Sequence, residues 1–147
     1  MNKKKIGVVV IVLLLVVGAV YGYCEYNRKP ASMTDAPADF SVNTTNLLTA
    51  FEKDEAAANK IYLDKVLEVE GALKEVTADD KGFYTVVIGE DASLSSVRCS
   101  VDSLFSSRAS MLKVGSLVKV KGVCTGFMKD ELVGSDVTLV RCAIIEK

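Results

Sequence analysis

From Ile6 to Tyr23, eighteen consecutive positions carry no charge, and residues 8–17 are only Val, Leu and Ile. A helix crossing the hydrocarbon of a bilayer takes about 20 predominantly apolar residues, so this run predicts a transmembrane helix. A polar stretch follows, and from Thr44 to Leu63 the pattern turns helical. Leu47, Leu48 and Phe51, then Ala57 and Ile61, recur at the spacing of one helix face. Asp54, with Glu55 and three alanines behind it, caps a second segment. Two short helices are expected, or one helix kinked near Lys53 and Asp54. Beyond Leu63 the period falls to two, the signature of half-buried strands. Strands are predicted over 66–76, 83–88, 95–101, 117–125 and 137–145.

Within those strands Val97, Cys99 and Val101 share one face, and Arg98 and Ser100 share the other. Val118, Val120 and Cys124 likewise oppose Lys119 and Lys121. Gly71 interrupts the first strand, which suggests a bulge or a sharp coil. Residues 79–82 (Asp-Asp-Lys-Gly) are a turn signal. Asp102 opens a helix carrying Leu104, Phe105 and Leu112 and ending near Gly115. Residues 128–135 read as a polar connection. Three strands, a helix and two more strands is the order of an OB-fold, a partly open five-stranded Greek-key barrel. The fold class expected is therefore mainly β with short helices: a five-stranded OB-fold Greek-key barrel preceded by one or two helices, plus an N-terminal transmembrane helix. The domains are a basic N-terminus (1–5), the anchor (6–23), a linker with Pro30 and Pro37 (24–43) and the barrel domain with its helices (44–147).

Lys3, Lys4 and Lys5 precede the apolar run, and Arg28 and Lys29 follow it. The positive-inside bias and the short basic N-terminus place that end in the cytoplasm and the domain outside it, as a single-pass cell-membrane protein. Tyr21, Tyr23 and Tyr26 suit the aromatic belt at a membrane interface. A cleaved signal peptide competes, with a cut at residues 17–19 inside the apolar run. A lipoprotein modified at Cys24 would need small residues before the cysteine, where Tyr23 stands. Asn43-Thr44-Thr45 is a glycosylation sequon, relevant only in a eukaryotic secretory pathway.

Charge and composition narrow the function. Residues 30–147 hold 18 acidic against 13 basic residues, leaving the outer domain near −5. Nucleic-acid binders show the opposite footprint. With no histidine in the chain, the commonest general base and metal ligand is missing. The neighbouring acids Asp79 and Asp80, and Glu90 and Asp91, stand in turns, where adjacent side chains diverge. No catalytic residue, metal site or cofactor is expected, and no enzymatic activity.

The segments at 47–76 (LLTAFEKDEAAANKIYLDKVLEVEGALKEV), 97–102 (VRCSVD) and 120–127 (VKGVCTGF) resemble the tRNA_anti-like family. Ala58, Tyr62 and Gly71 are the most specific part of that resemblance, which runs from about residue 46 to 145. It implies a bacterial OB-fold domain, often tethered by an N-terminal membrane or lipoprotein signal, and it defines no catalytic residues. The family's name implies distant kinship to anticodon-binding domains and no tRNA function. The connection at 128–136 is longer than the family leads one to expect.

Cys99, Cys124 and Cys142 fall on strands three, four and five, which are neighbours around such a barrel. Outside the cytoplasm cysteines tend to pair, so one disulfide among Cys99, Cys124 and Cys142 is weighed against three buried, inert thiols. No C-x-x-C occurs, and the spacings fit no zinc module. The reading is a membrane-anchored extracytoplasmic OB-fold module that binds an envelope protein, peptide or glycan, with Tyr84 and Arg98 as the ligand-binding residues. The alternative is a nucleic-acid-binding domain in the cytoplasm, stacking bases on Phe83 and Tyr84 and meeting phosphate with Arg98, Lys119 and Lys121. A third is an assembly subunit docking through the helices at 44–63.

Overall fold

The structure, a computed structural model, describes residues 3–26, 32–130 and 132–145. The chain forms two units, Met1–Ala31 and Ser32–Lys147. The described residues of the first form one helix, α1 (Lys3–Tyr26). Its described side chains begin at Val12, and Val12–Val17, Val20, Tyr21 and Tyr23 are all exposed. Among the described residues no helix is long and apolar enough to cross a membrane. The side chains of residues 6–11, the first third of the expected anchor, lie outside the described residues, as do residues 27–31 of the expected linker.

The second unit runs β1 (Phe40–Asn43), α2 (Thr44–Lys53), α3 (Glu55–Tyr62), β2 (Val66–Ala78), β3 (Tyr84–Ile88) and β4 (Ser96–Val101). A 3-10 turn (Ser103–Phe105), α4 (Ser106–Ala109), β5 (Leu117–Asp130) and β6 (Gly134–Ile145) complete it. The sheet order β1-β2-β3-β4-β6-β5 closes through β2–β5, so β2 to β6 form a five-stranded barrel. β4 and β6 are parallel and the other barrel pairs antiparallel. This is the OB-fold topology. Alternation decides what faces inward: Val97, Cys99 and Val101 are buried while Arg98 and Ser100 are exposed.

Asp54 separates the two helices, its carboxylate accepting from the Ala57 amide at 2.9 Å. Asn43 caps α2 in the same way, accepting from Thr45 N at 2.8 Å. The sequon is thus a helix cap, with Thr44 buried beneath it. α2 lies across the barrel against β2, β4 and β6. It drives in Leu47, Leu48 and Phe51, and Phe51 stacks on Phe127 with ring centroids 5.1 Å apart. Gly71 makes that approach possible. A β-carbon there would collide with Thr44 Oγ1 and stand 2.6 Å from Ile88 Cγ2. The irregularity expected at Gly71 falls instead between Leu73 and Glu75.

Three features differ from the pattern-based expectation. The barrel unit begins at Ser32 rather than at Thr44: Met33 is buried, Asp39 exchanges hydrogen bonds with Val66, and β1 pairs in parallel with β2. The helix expected from Asp102 to Gly115 is only the 3-10 turn and α4, because four serines between 103 and 110 compete for backbone hydrogen bonds. Much of the polar connection expected at 128–135 is ladder: β5 and β6 stay paired out to Asp130 and Gly134.

Candidate functional site

On the outward face of β4, Arg98 Nε donates to Asp136 Oδ2 at 2.6 Å, and Ser96 Oγ donates to Asp136 Oδ1 at 2.5 Å. Asp136 is thereby satisfied on both oxygens and holds the guanidinium through one nitrogen. The Arg98 side chain remains 53% exposed. Register extends this face sideways. Arg98 is opposite Val87 on β3 and Thr138 on β6, and Asp136 is opposite Met128 on β5. Partners in a ladder point to the same side, so one panel carries Val87, Arg98, Ser100, Asp136, Thr138 and Met128. At its edge the Asp130 carboxylate accepts from Leu132 N at 2.7 Å and Val133 N at 3.1 Å, fixing a turn whose two apolar side chains are exposed.

Tyr84 does not join this panel. It has the parity of Val86 and Ile88 and packs partly buried against the core. The structure therefore puts Tyr84 and Arg98 on opposite sides of the sheet. Phe83, exposed just before β3, has the outward parity instead. The side of Tyr84 was set by where β3 begins in the ladder, which alternation between two adjacent aromatics does not reveal.

The other basic candidates are occupied. Lys119 Nζ lies 3.2 Å from Glu68 and 3.6 Å from Glu70, and the hydrogen bond to Glu68 raises its pKa above the ordinary lysine value. Lys121 is buried, its ammonium donating to the carbonyls of Thr34 at 3.2 Å and Ala36 at 3.1 Å. Nothing in the alternation of 117–125 distinguishes this lysine from a solvated one.

The three barrel cysteines are buried and free, so the disulfide weighed from their strand positions is not present. Register explains it. Cys99 pairs with Leu139 and Cys142 with Val101, leaving the two cysteines offset along neighbouring strands. The neighbouring Cys99 thiol, together with burial, holds the Cys142 pKa well above its usual range. Cys124 sits across Leu139 from Cys99, and burial raises its pKa too. Cys142 reaches the interior through an irregularity in β6 at Arg141 (φ 55°), opposite Gly122. A β-carbon on Gly122 would stand 2.5 Å from Cys142 Sγ.

Between α2 and the β3–β4 loop lies a cleft of about 90 Å³. Its polar groups close on one another: Thr45 donates to Glu90, and Ser95 to Glu52, each at 2.8 Å. Small-molecule sites are several times larger. Asp79 is likewise spent on its own turn, accepting from Lys81 N and Phe83 N. Among the described residues no group of three or more His, Cys, Asp or Glu is placed to hold a metal ion.

The model of the tRNA_anti-like family matches residues 1–144. No curated protein sequence matches the chain. Among solved structures, a Klebsiella pneumoniae protein described as a "putative nucleic acid-binding lipoprotein" superposes with a TM-score of 0.58 at 17% identity, over 80% of this chain and 100% of that one. A chain of the S. pombe Stn1-ten1 complex scores 0.38 at 15% identity, over 56% of this chain and 59% of that one. The aspartyl tRNA synthetase from Entamoeba histolytica scores 0.46 at 8% identity, over 82% of this chain and 23% of that one. The first of these is a likeness of fold.

Proposed function

This chain belongs to the tRNA_anti-like family, and on that footing we propose that it is a single-pass, membrane-anchored OB-fold binding module whose barrel stands outside the cytoplasm. The anchor is the run from Ile6 to Tyr23. It is supported by the unbroken helix over Lys3–Tyr26, by the three lysines before it and by the exposure of its described apolar side chains. A helix that is apolar all round needs lipid or a protein core about it.

The binding face is the panel around Arg98, and the partner is an envelope protein or peptide that presents a carboxylate beside an apolar side chain. One observation carries this: Asp136 holds Arg98 through Nε, and the side chain stays 53% exposed, which leaves donors of its fork accessible to a partner. Guanidinium forks match carboxylates in a bidentate way, and Met128 on the same panel offers apolar contact. Glycans offer fewer such carboxylates and are the second choice. A nucleic-acid groove is less supported, because Lys119 and Lys121 are engaged internally and phosphate contacts dominate such affinity.

The test is a photo-crosslinking residue at Ser100 in the full chain, activated in intact membranes. Adducts with envelope proteins are expected, and Arg98→Ala should remove them. Adducts that persist unchanged in Arg98→Ala would reject this face. Retardation of single-stranded oligonucleotides by the detergent-solubilised chain would favour the nucleic-acid reading.

A further inference from the structure

One residue on the β4–β6 side is held in a backbone conformation that suits it poorly. Among the described residues, positive φ occurs at four glycines and at Asp64 and Arg141, the latter with φ 55°. Aspartate tolerates the left-handed region because its short carboxylate hydrogen-bonds locally. A long arginine side chain has no such compensation, and glycine would sit there more easily. The bulge needs only the backbone: it turns Cys142 inward opposite Gly122, and a glycine at 141 would serve that turn as well. What the arginine adds is its side chain, which is exposed and makes no hydrogen bond, ion pair or ring contact among the described residues. Strain kept at a bulge that aims a side chain outward is a mark of a binding position.

Register places Arg141 beside the Arg98 panel. Cys99 pairs with Leu139 and Val101 with Cys142, so the bulge sets Val140 and Arg141 next to Ser100. Ser100 is two residues from Arg98 along β4, about 7 Å, and β6 lies one strand width, about 5 Å, to the side. Asp136 stands on the far side of Arg98, level with Ser96. Asp102 stands past Ser100, but its carboxylate accepts from the Leu104 amide at 3.1 Å and the Ser103 hydroxyl at 3.4 Å, with no ion pair to Arg141. The panel thus has two exposed arginines along its middle and an acid towards each end.

We propose that Arg141 is the second anion-binding residue of this panel, and that the partner is an extended peptide segment with acids at alternate positions. This rests on the Arg98 reading above. Side chains of an extended chain return to one face every two residues, about 7 Å, which matches the interval from Arg98 to the level of Arg141. One carboxylate then meets the accessible donors of Arg98 and the next the fork of Arg141. The acids towards the panel's ends select the class of partner. A nucleic-acid strand carries charge at every phosphate and would set one against Asp136, whereas a peptide can place a neutral residue there.

The experiment uses the full chain in detergent micelles with a photo-crosslinking residue at Ser100. The dye-labelled probes are a peptide Leu-Glu-Thr-Glu-Leu, the same peptide with its second glutamate replaced by glutamine, and a single-stranded thymidine oligonucleotide. The two-acid peptide should be captured severalfold more than the one-acid peptide. Arg141→Gly should bring both to the same low yield without lowering the thermal midpoint of the barrel, and Arg98→Ala should abolish capture of both. Equal capture of the two peptides, unchanged in Arg141→Gly but lost in Arg98→Ala, would overturn the role of Arg141 and leave the Arg98 panel standing. Failure to capture either peptide, or capture that survives Arg98→Ala, would reject the panel and this proposal with it. A lowered midpoint in Arg141→Gly would make the arginine part of the bulge's structure and overturn the proposal. An oligonucleotide captured more strongly than the two-acid peptide, and lost in Arg141→Gly, would overturn it in favour of nucleic acid.

Discussion

Two outward panels of this barrel carry basic residues, and they put them to different uses. On the β2–β5 side, Lys119 lies against Glu68 and Glu70, and Lys121 is buried beneath the segment 32–39, tying down two of its carbonyls. On the β4–β6 side, Arg98 is held by Asp136 through one nitrogen and stays half exposed. In sequence all three look alike, as cations on the polar face of an alternating strand. The first panel uses its cations to assemble the domain, while the second leaves one available to a partner. A basic residue on the outside of an OB barrel is thus no measure of a phosphate footprint until its hydrogen bonds are counted.

The sharpest break of that contrast is Lys121→Ala. It strands the Thr34 and Ala36 carbonyls and unloads a buried cation, so a loss of about 1–3 kcal/mol is expected. Chemical denaturation would measure it, and limited proteolysis should cut first within 32–39. Lys121→Ala with wild-type stability would mean that the segment is held by Met33 and Asp39 alone.

Alkaline pH probes the interior behind both panels. The folded state holds the thiols of Cys124 and Cys142 protonated above their ordinary value of 9.0. The unfolded chain releases those protons first. Stability is therefore complete below about pH 9 and declines as pH rises beyond it. Lys119, raised above 10.5 by its glutamates, acts in the same direction at higher pH. Denaturation midpoints taken under reductant from about pH 7 to 10.5 should fall only in the upper part of that range.

The smallest effects separate the panels most cleanly. Lys119→Ala should destabilise far less than Lys121→Ala, and less still in high salt, because its ion pairs are part-exposed and screened. Arg98→Ala should move stability by about 0.5 kcal/mol or less, as an exposed substitution does, while abolishing partner adducts. If Arg98→Ala proved as destabilising as Lys121→Ala, the two panels would both be structural and the contrast would collapse.

Most of the barrel was legible in the sequence, because period-two alternation is a direct imprint of an inside and an outside. The five strands and the inward set at Val97, Cys99 and Val101 came from it, while the Asp54 break came from a capping residue set before good helix formers. What alternation hides is register. It could not place Tyr84 against Arg98, show that Cys99 and Cys142 are offset along their strands, or reveal that Gly71 makes room for Thr44. The ordering of 32–39 was equally hidden. Its anchors are a methionine, an aspartate and a lysine 82 residues beyond Asp39, and no local pattern links them. The site shared this limit: Arg98 was visible as an outward base, but its hold by Asp136 depends on a parallel pairing 38 residues away.

The most direct test of the account is the side of the membrane on which the barrel stands. Asp91, exposed in the β3–β4 loop, is replaced by Cys in a Cys24→Ser background, and intact cells are treated with a membrane-impermeant maleimide. Asp91→Cys should be labelled without breaking the membrane. Labelling only after permeabilisation would put the barrel in the cytoplasm and contradict it.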